Sequence, residues 1–130
     1  MDITPVIPTT FNVITGYSKG SFLINEERKP GNIIISRDNL WRWDEADPYN
    51  LSEKSFEVIV NDFKSKALSH NAIILVGSGI TPKVANYKLV HLLSLHNLSI
   101  DIMTTAAACR TYNILLAEGR EVYAALMALE

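Results

Sequence analysis

Three stretches of the sequence carry residue types that could do chemistry. The first is Gly77-Ser78-Gly79, which follows the apolar run Ala72-Ile73-Ile74-Leu75-Val76 and precedes Thr81-Pro82. A glycine loop between a strand and a helix offers backbone N–H groups and the positive end of a helix dipole, a setting that suits an anion. The loop has neither the third glycine of a dinucleotide fingerprint nor the Gly-Lys-Ser/Thr of a P-loop. A tight strand-to-helix turn accounts for its glycines equally well. Both readings stay open.

The second stretch is Cys109-Arg110-Thr111-Tyr112-Asn113. A thiol early in a helix and next to an arginine has two of the features that lower its pKa. A nucleophilic cysteine also needs a base, and nothing in the sequence marks a histidine for that role. Cys109 therefore reads as a small buried hydrophobe, and no catalytic residue is assigned. Arg110 and Asn113 sit in a helix that is apolar almost all round. They either belong to a buried hydrogen-bonded network or, with Gly77, Ser78 and Gly79, form a site for a small anionic ligand at the carboxyl ends of parallel strands.

The third stretch holds Trp41, Trp43 and Tyr49. The two tryptophans share one face of a strand. Covered, that face is core; open, Trp41 and Tyr49 become candidates for binding a protein partner. The three histidines, His70, His91 and His96, show no metal-ligand spacing with Cys109 or with carboxylates. Neither metal nor cofactor is expected.

These residues need a scaffold, and the pattern of the chain supplies one. Short runs rich in strand formers (Phe11–Thr15, Ser21–Ile24, Ile33–Ile35, Leu40–Trp43) alternate with polar turns such as Pro30-Gly31, which points to an antiparallel meander over about 11–44. Glu26-Glu27-Arg28-Lys29 reads as a charged lead into that turn. Ser52 then caps a helix whose apolar positions Phe56, Ile59, Val60, Phe63 and Ala67 keep helical spacing, with Leu51 and Phe56 placed as a hydrophobic staple. The strand Ala72–Val76 is followed by a helix from Thr81-Pro82 to about His96, ended by Asn97 in the left-handed region. Leu98–Met103 is a strand, and Thr104 or Thr105 caps a third helix that stops at Gly119. In Val122–Leu129, Ala, Leu and Met favour helix while apolar content and short length fit a central strand. Strand is the preferred reading, because a short helix straight after Gly119 would leave the sheet short of a partner. The strand–helix–strand–helix order argues for right-handed parallel crossovers over about 51–130.

Composition narrows the class. With 48% hydrophobic and 20% charged residues the chain has the makings of one globular domain spanning 1–130. A net charge of −2 and the lack of a basic run interleaved with aromatics argue against nucleic-acid binding. One cysteine cannot form an internal disulfide, the start lacks a secretion or transit pattern, and no apolar run approaches the ~20 residues of a membrane span. A cytoplasmic location is expected.

A composite pattern covers Tyr17 to Leu126. It comprises Gly20-Ser21-Phe22-Leu23-Ile24-Asn25, Gly31, Trp41, Gly77-Ser78-Gly79, then Met103, Thr105, Ala106, Ala107, Cys109-Arg110-Thr111-Tyr112-Asn113, Leu115 and Glu118-Gly119-Arg120 with Val122 and Ala124. In these residues the chain resembles the domain-of-unknown-function family that includes mitochondrial complex I assembly factor 3 and many bacterial and archaeal proteins. It departs from that family in Ser78, where threonine is common, and in Thr104, where aspartate is. The resemblance implies a three-layer α/β fold: a central mixed, mostly parallel sheet with helices on both sides, an additional N-terminal antiparallel β element, and a final antiparallel strand. It carries over no catalytic residue. It implies a non-catalytic protein-interaction role of the assembly-factor kind, linked to maturation of respiratory complex I, with another protein as partner. The alternative is a ligand-binding or enzymatic domain using the glycine loop and Arg110.

Overall fold

The apolar residues of the central strands fall into two sets of alternating parity, and each set builds one half of the core. The computed structural model describes residues 7–45, 47–67, 70–81 and 86–130. Its elements are β1 (Ile14–Ser18), β2 (Ser21–Ile24), β3 (Glu27–Pro30), β4 (Ile33–Ile35), β5 (Leu40–Arg42), a 3-10 turn (Glu53–Phe56), α1 (Glu57–Ser65), β6 (Ala72–Gly77), α2 (Tyr87–Ser94), β7 (Leu98–Met103), α3 (Thr105–Ala117) and β8 (Val122–Leu126). β5-β4-β8-β6-β7 form a mixed sheet and β1-β2-β3 a separate antiparallel one. Ile34, Ile74, Val76, Tyr123, Ala125 and Met127 face α1 and α2, meeting Phe56, Ile59, Phe63, Leu89 and Leu93. Ile33, Ile35, Leu75, Val122, Ala124 and Leu126 face the other way, onto Ala108, Cys109, Tyr112 and Leu116 of α3 and Ile14, Phe22 and Ile24 of the small sheet. Strands buried on both faces need continuous apolar runs, which is why β4 and β6 read so plainly; Val122–Leu129, whose Ala, Leu and Met also suit a helix, is a strand over Val122–Leu126. The result is the expected three-layer α/β arrangement.

Several expectations are corrected. The N-terminal strands do not stay in one meander: β4 and β5 leave it, and β4 joins the central sheet antiparallel to β8. β8 itself is parallel to β6 on its other side, through Ile73↔Val122 to Gly77↔Leu126. The last strand is therefore antiparallel to one neighbour only, and the sheet divides evenly between parallel and antiparallel pairings. Glu27–Pro30 is a strand paired with β2, reached through Asn25 and Glu26 at φ 51 and 70. Two successive positive φ values make the tight hairpin turn whose twist matches the strands, and Asn-Glu hides that turn because glycine is its usual mark. Ala67 lies beyond α1 with φ 51. α2 is capped by Asn86, whose side chain accepts from the Leu89 N–H, and not by Thr81; Pro82 and Ala85 lie outside the described residues. Asn97 and Gly119 do take positive φ, at 62 and 79, and Thr104 caps α3 by accepting from the Ala107 N–H.

Candidate functional site

Four elements meet where the glycine loop leaves the sheet. Gly77 ends β6 and is buried between β7 and β8; a Cβ there would lie 2.9 Å from the Thr105 Cα and 3.0 Å from the Leu126 Cδ2. Only glycine lets the first turn of α3 approach the sheet this closely. Thr105, fully buried, closes the contact. Its N–H donates to the Gly79 carbonyl at 2.8 Å, while its hydroxyl accepts from the Gly79 N–H at 2.9 Å and donates to the Met127 carbonyl at 2.7 Å. The Ser78 N–H donates to the Met103 carbonyl, and its hydroxyl reaches the Thr81 and Met103 carbonyls at 2.8 and 3.1 Å. The N–H donors of Ser78 and Gly79, which the anion reading needs, are thus occupied by protein. The loop is a clamp tying β6 and β8 to the start of α3.

Above the clamp opens a cleft of about 350 Å³, lined by Ser78, Gly79, Ile80, Thr81, Tyr49 and Leu129 among others. Ile80 and Tyr49 stand at its edge, 85% and 77% exposed. Of the residues singled out in the sequence, Ser78, Gly79 and Tyr49 share this cleft; Gly77 lies buried beneath it, and Arg110 and Asn113 do not line it. Ile80 carries no sequence mark, because a single isoleucine after a glycine loop reads as helix or core.

Arg110 is not held inside, as the apolar helix suggests it should be. It is exposed, in line with Ile114 (58% exposed) and Glu118, so α3 keeps one solvent-facing stripe. Asn113 is committed to the fold. Its amide oxygen accepts from the Ile14 N–H at 3.1 Å and its amide nitrogen donates to the Ile14 carbonyl at 2.7 Å, as a neighbouring strand would. The Tyr112 hydroxyl donates to the Asn12 carbonyl at 2.8 Å beside it. Together they pin β1 to α3 across about a hundred residues of sequence. Asn113→Ala should therefore cost about 2 kcal/mol, the scale for stranding partly buried backbone groups. Hydrogen exchange is the measurement: amides of β1 and β2 should lose protection before those of β6 and β8, and uniform loss would contradict the local pin.

The remaining candidates separate cleanly. Cys109 is buried, and burial pushes its thiol up to about 12 despite the opposing charge of Arg110, which deprives it of thiolate character. Trp43 is core: its indole N–H donates to the Ser55 carbonyl at 2.9 Å and its ring tilts against Phe56. Trp41 is half-buried and packs against the same core. His70 and His91 are exposed, and His96 faces Glu53 at 3.9 Å. Among the described residues no helix is long and apolar enough to cross a membrane.

Residues 14–127 match the family described as protein of unknown function (DUF498/DUF598). The chain belongs to that family. The match runs from the first residue of β1 to the residue after β8, so the clamp and the Asn113 pin of this DUF498/DUF598 chain both lie within it. Among curated proteins it is 26% identical over 107 residues to the 13 kDa major membrane protein of Francisella tularensis, covering 82% of each chain. It is 25% identical over 114 residues to the rat NADH dehydrogenase (ubiquinone) 1 alpha subcomplex assembly factor 3. That alignment covers 88% of this chain and 59% of the rat protein's length. Among solved structures, an outer membrane protein from Bartonella henselae superposes with a TM-score of 0.80 at 28% identity, over 96% of this chain and 100% of that one. A Bordetella parapertussis protein gives 0.79 at 27% identity, over 93% and 98%.

Proposed function

We propose that this chain is a non-catalytic docking module that brings proteins together during maturation of a respiratory enzyme of the complex I type. Kinship with an assembly factor supports the respiratory setting. The cleft supports the docking: Tyr49 and Ile80 are held out into solvent at its edge, and large apolar side chains in that position serve as interface anchors. That rim is the observation that carries the reading. Trp41, tied to the core by half its surface, is the lesser contributor. The buried thiol and the internally bonded Ser78 hydroxyl support a role without chemistry. The compartment proposed is the cytoplasm, where contact with the membrane enzyme is made through protein.

The test is capture of crosslinked partners by the tagged chain and by a Tyr49→Ser/Ile80→Ser double variant. The native chain should enrich complex I subunits or their assembly intermediates, and the double variant should lower the yield at least tenfold, on the order of one lost interface anchor. An unchanged profile would remove the cleft from the interface. Recovery of no complex I subunit would remove the respiratory assignment.

A further inference from the structure

We propose that the outer face of α2, with the groove beside its N-terminus, docks on an anionic phospholipid bilayer. The net charge of −2 conceals a strong segregation. From Phe63 to Ile100 the chain has no Asp or Glu, yet this stretch holds Lys64, Lys66, Lys83, Lys88 and all three histidines, of which Lys66 is already paired with Asp62 and Glu121. α2 lies within it. Leu89 and Leu93 are buried on the core side, while Tyr87 (94% exposed) and Leu95 (65%), with Val90, face solvent. At 3.6 residues per turn Tyr87, His91 and Leu95 fall on one outward line. The fold has no use for the apolar members of that line. Next to it is a groove of about 270 Å³ floored by Leu51, Leu89 and Leu92, to which Lys54 and Lys88 also contribute. Glu53 lies there too and faces His96.

An apolar groove lined also by two lysines, beside an outward Tyr and Leu, is the pattern of an interfacial helix: side chains enter the acyl boundary and lysines meet the headgroups. A protein partner would have to set carboxylates opposite both lysines with apolar groups between them. A bilayer rich in acidic lipid presents that combination at every point of its surface. Three apolar side chains and two lysines give weak, reversible attachment.

Sedimentation of the full chain with vesicles tests this directly. The chain should pellet with phosphatidylcholine vesicles carrying about one-third phosphatidylglycerol, stay in solution with phosphatidylcholine alone, and be released by salt. K54E/K88E should lower partitioning by about twentyfold or more, given roughly fivefold per lysine. Y87S/L95S should lower it about tenfold through lost apolar contact. R28E/K29E, on β3 of the separate sheet, should change nothing, and unaltered melting temperatures would show all three variants folded. Failure to pellet with the acidic vesicles, or equal pelleting of K54E/K88E, overturns the proposal. So does a Y87S/L95S variant that keeps vesicle binding but loses capture of the partner protein, because that outcome assigns the face to protein.

Discussion

Between about pH 10 and pH 12 the fold is expected to lose stability at about 4 kcal/mol per pH unit, because three buried groups keep their protons when the unfolded chain has released them. Burial is the leading cause for each. It raises the Cys109 thiol to about 12 against the pull of Arg110, and raises the Tyr112 phenol with help from the charge of Asp38. It raises Tyr123 too, reinforced by the hydrogen bond to Asp62 at 2.6 Å and the charges of Asp62 and Glu121, with Arg37 opposing. The sign follows directly. Each folded pKa lies above its unfolded value, so the stabilisation is complete below about pH 8 and drains away as pH rises through the window above. One proton is worth about 1.4 kcal/mol per pH unit, and three give the stated slope. Against a total stability of about 5–15 kcal/mol for a domain this size, two such units remove about 8 kcal/mol, half or more of it.

Urea midpoints measured across that range test the expectation. Cys109→Ala should remove about a third of the slope, and the two buried tyrosines should ionise only together with loss of the far-ultraviolet helix signal. Their ionisation before unfolding would contradict it.

How much of this was legible beforehand depends on whether the signal is local. Leu98–Met103, Ser21–Ile24 and Ile33–Ile35 match their strands residue for residue, and Thr104, Asn97 and Gly119 mark the helix ends they were expected to mark. Apolar runs and caps act within a few residues, so sequence shows them. Pairing acts over distance. Ile33–Ile35 reads as a strand, but nothing near it says that its partner is Ala124–Leu126, on the far side of the chain. The same holds for Asn113. A polar residue on an apolar helix invites a guess at a ligand, whereas its partner is the backbone of Ile14, 99 residues away.

Arg110 teaches the converse. An apolar helix does not bury its whole circumference; α3 leaves Arg110 and Ile114 in solvent because the central sheet and β1 together cover only part of it. A further cluster is assembled only by the tertiary fold. The Tyr123 hydroxyl donates to the part-buried Asp62 of α1, Lys66 lies 3.8 Å from Asp62 and 3.5 Å from Glu121, and Arg37 reaches Glu121 at 3.7 Å. Three segments contribute to it, and only the i,i+4 spacing of Asp62 and Lys66 announces any part of it.

Gly77→Ala is expected to destabilise the chain by about 3 kcal/mol or more, the upper range for forcing a methyl into a packed core, with a fall in melting temperature on the order of 10 °C. The new Cβ would lie 2.9 Å from a backbone atom, the Thr105 Cα, and 3.0 Å from the Leu126 Cδ2. Thr105 cannot withdraw cheaply, for its N–H and hydroxyl hold both Gly79 and Met127. Thr105→Val keeps the shape and deletes the hydroxyl, leaving the Gly79 N–H and the Met127 carbonyl without their partner, at about 2–4 kcal/mol. Thr105→Ser restores both bonds and should cost about 1 kcal/mol, a lost methyl. Denaturant melts of the three variants check the order, and Ser as damaging as Val would show that packing, not hydrogen bonding, holds the clamp. The double variant Gly77→Ala/Thr105→Val should cost less than the two single changes combined, because both break one contact. Since the clamp also fixes the strand end from which Ile80 is displayed, partner capture by the still-folded Thr105→Val chain should fall even at temperatures where its core remains intact.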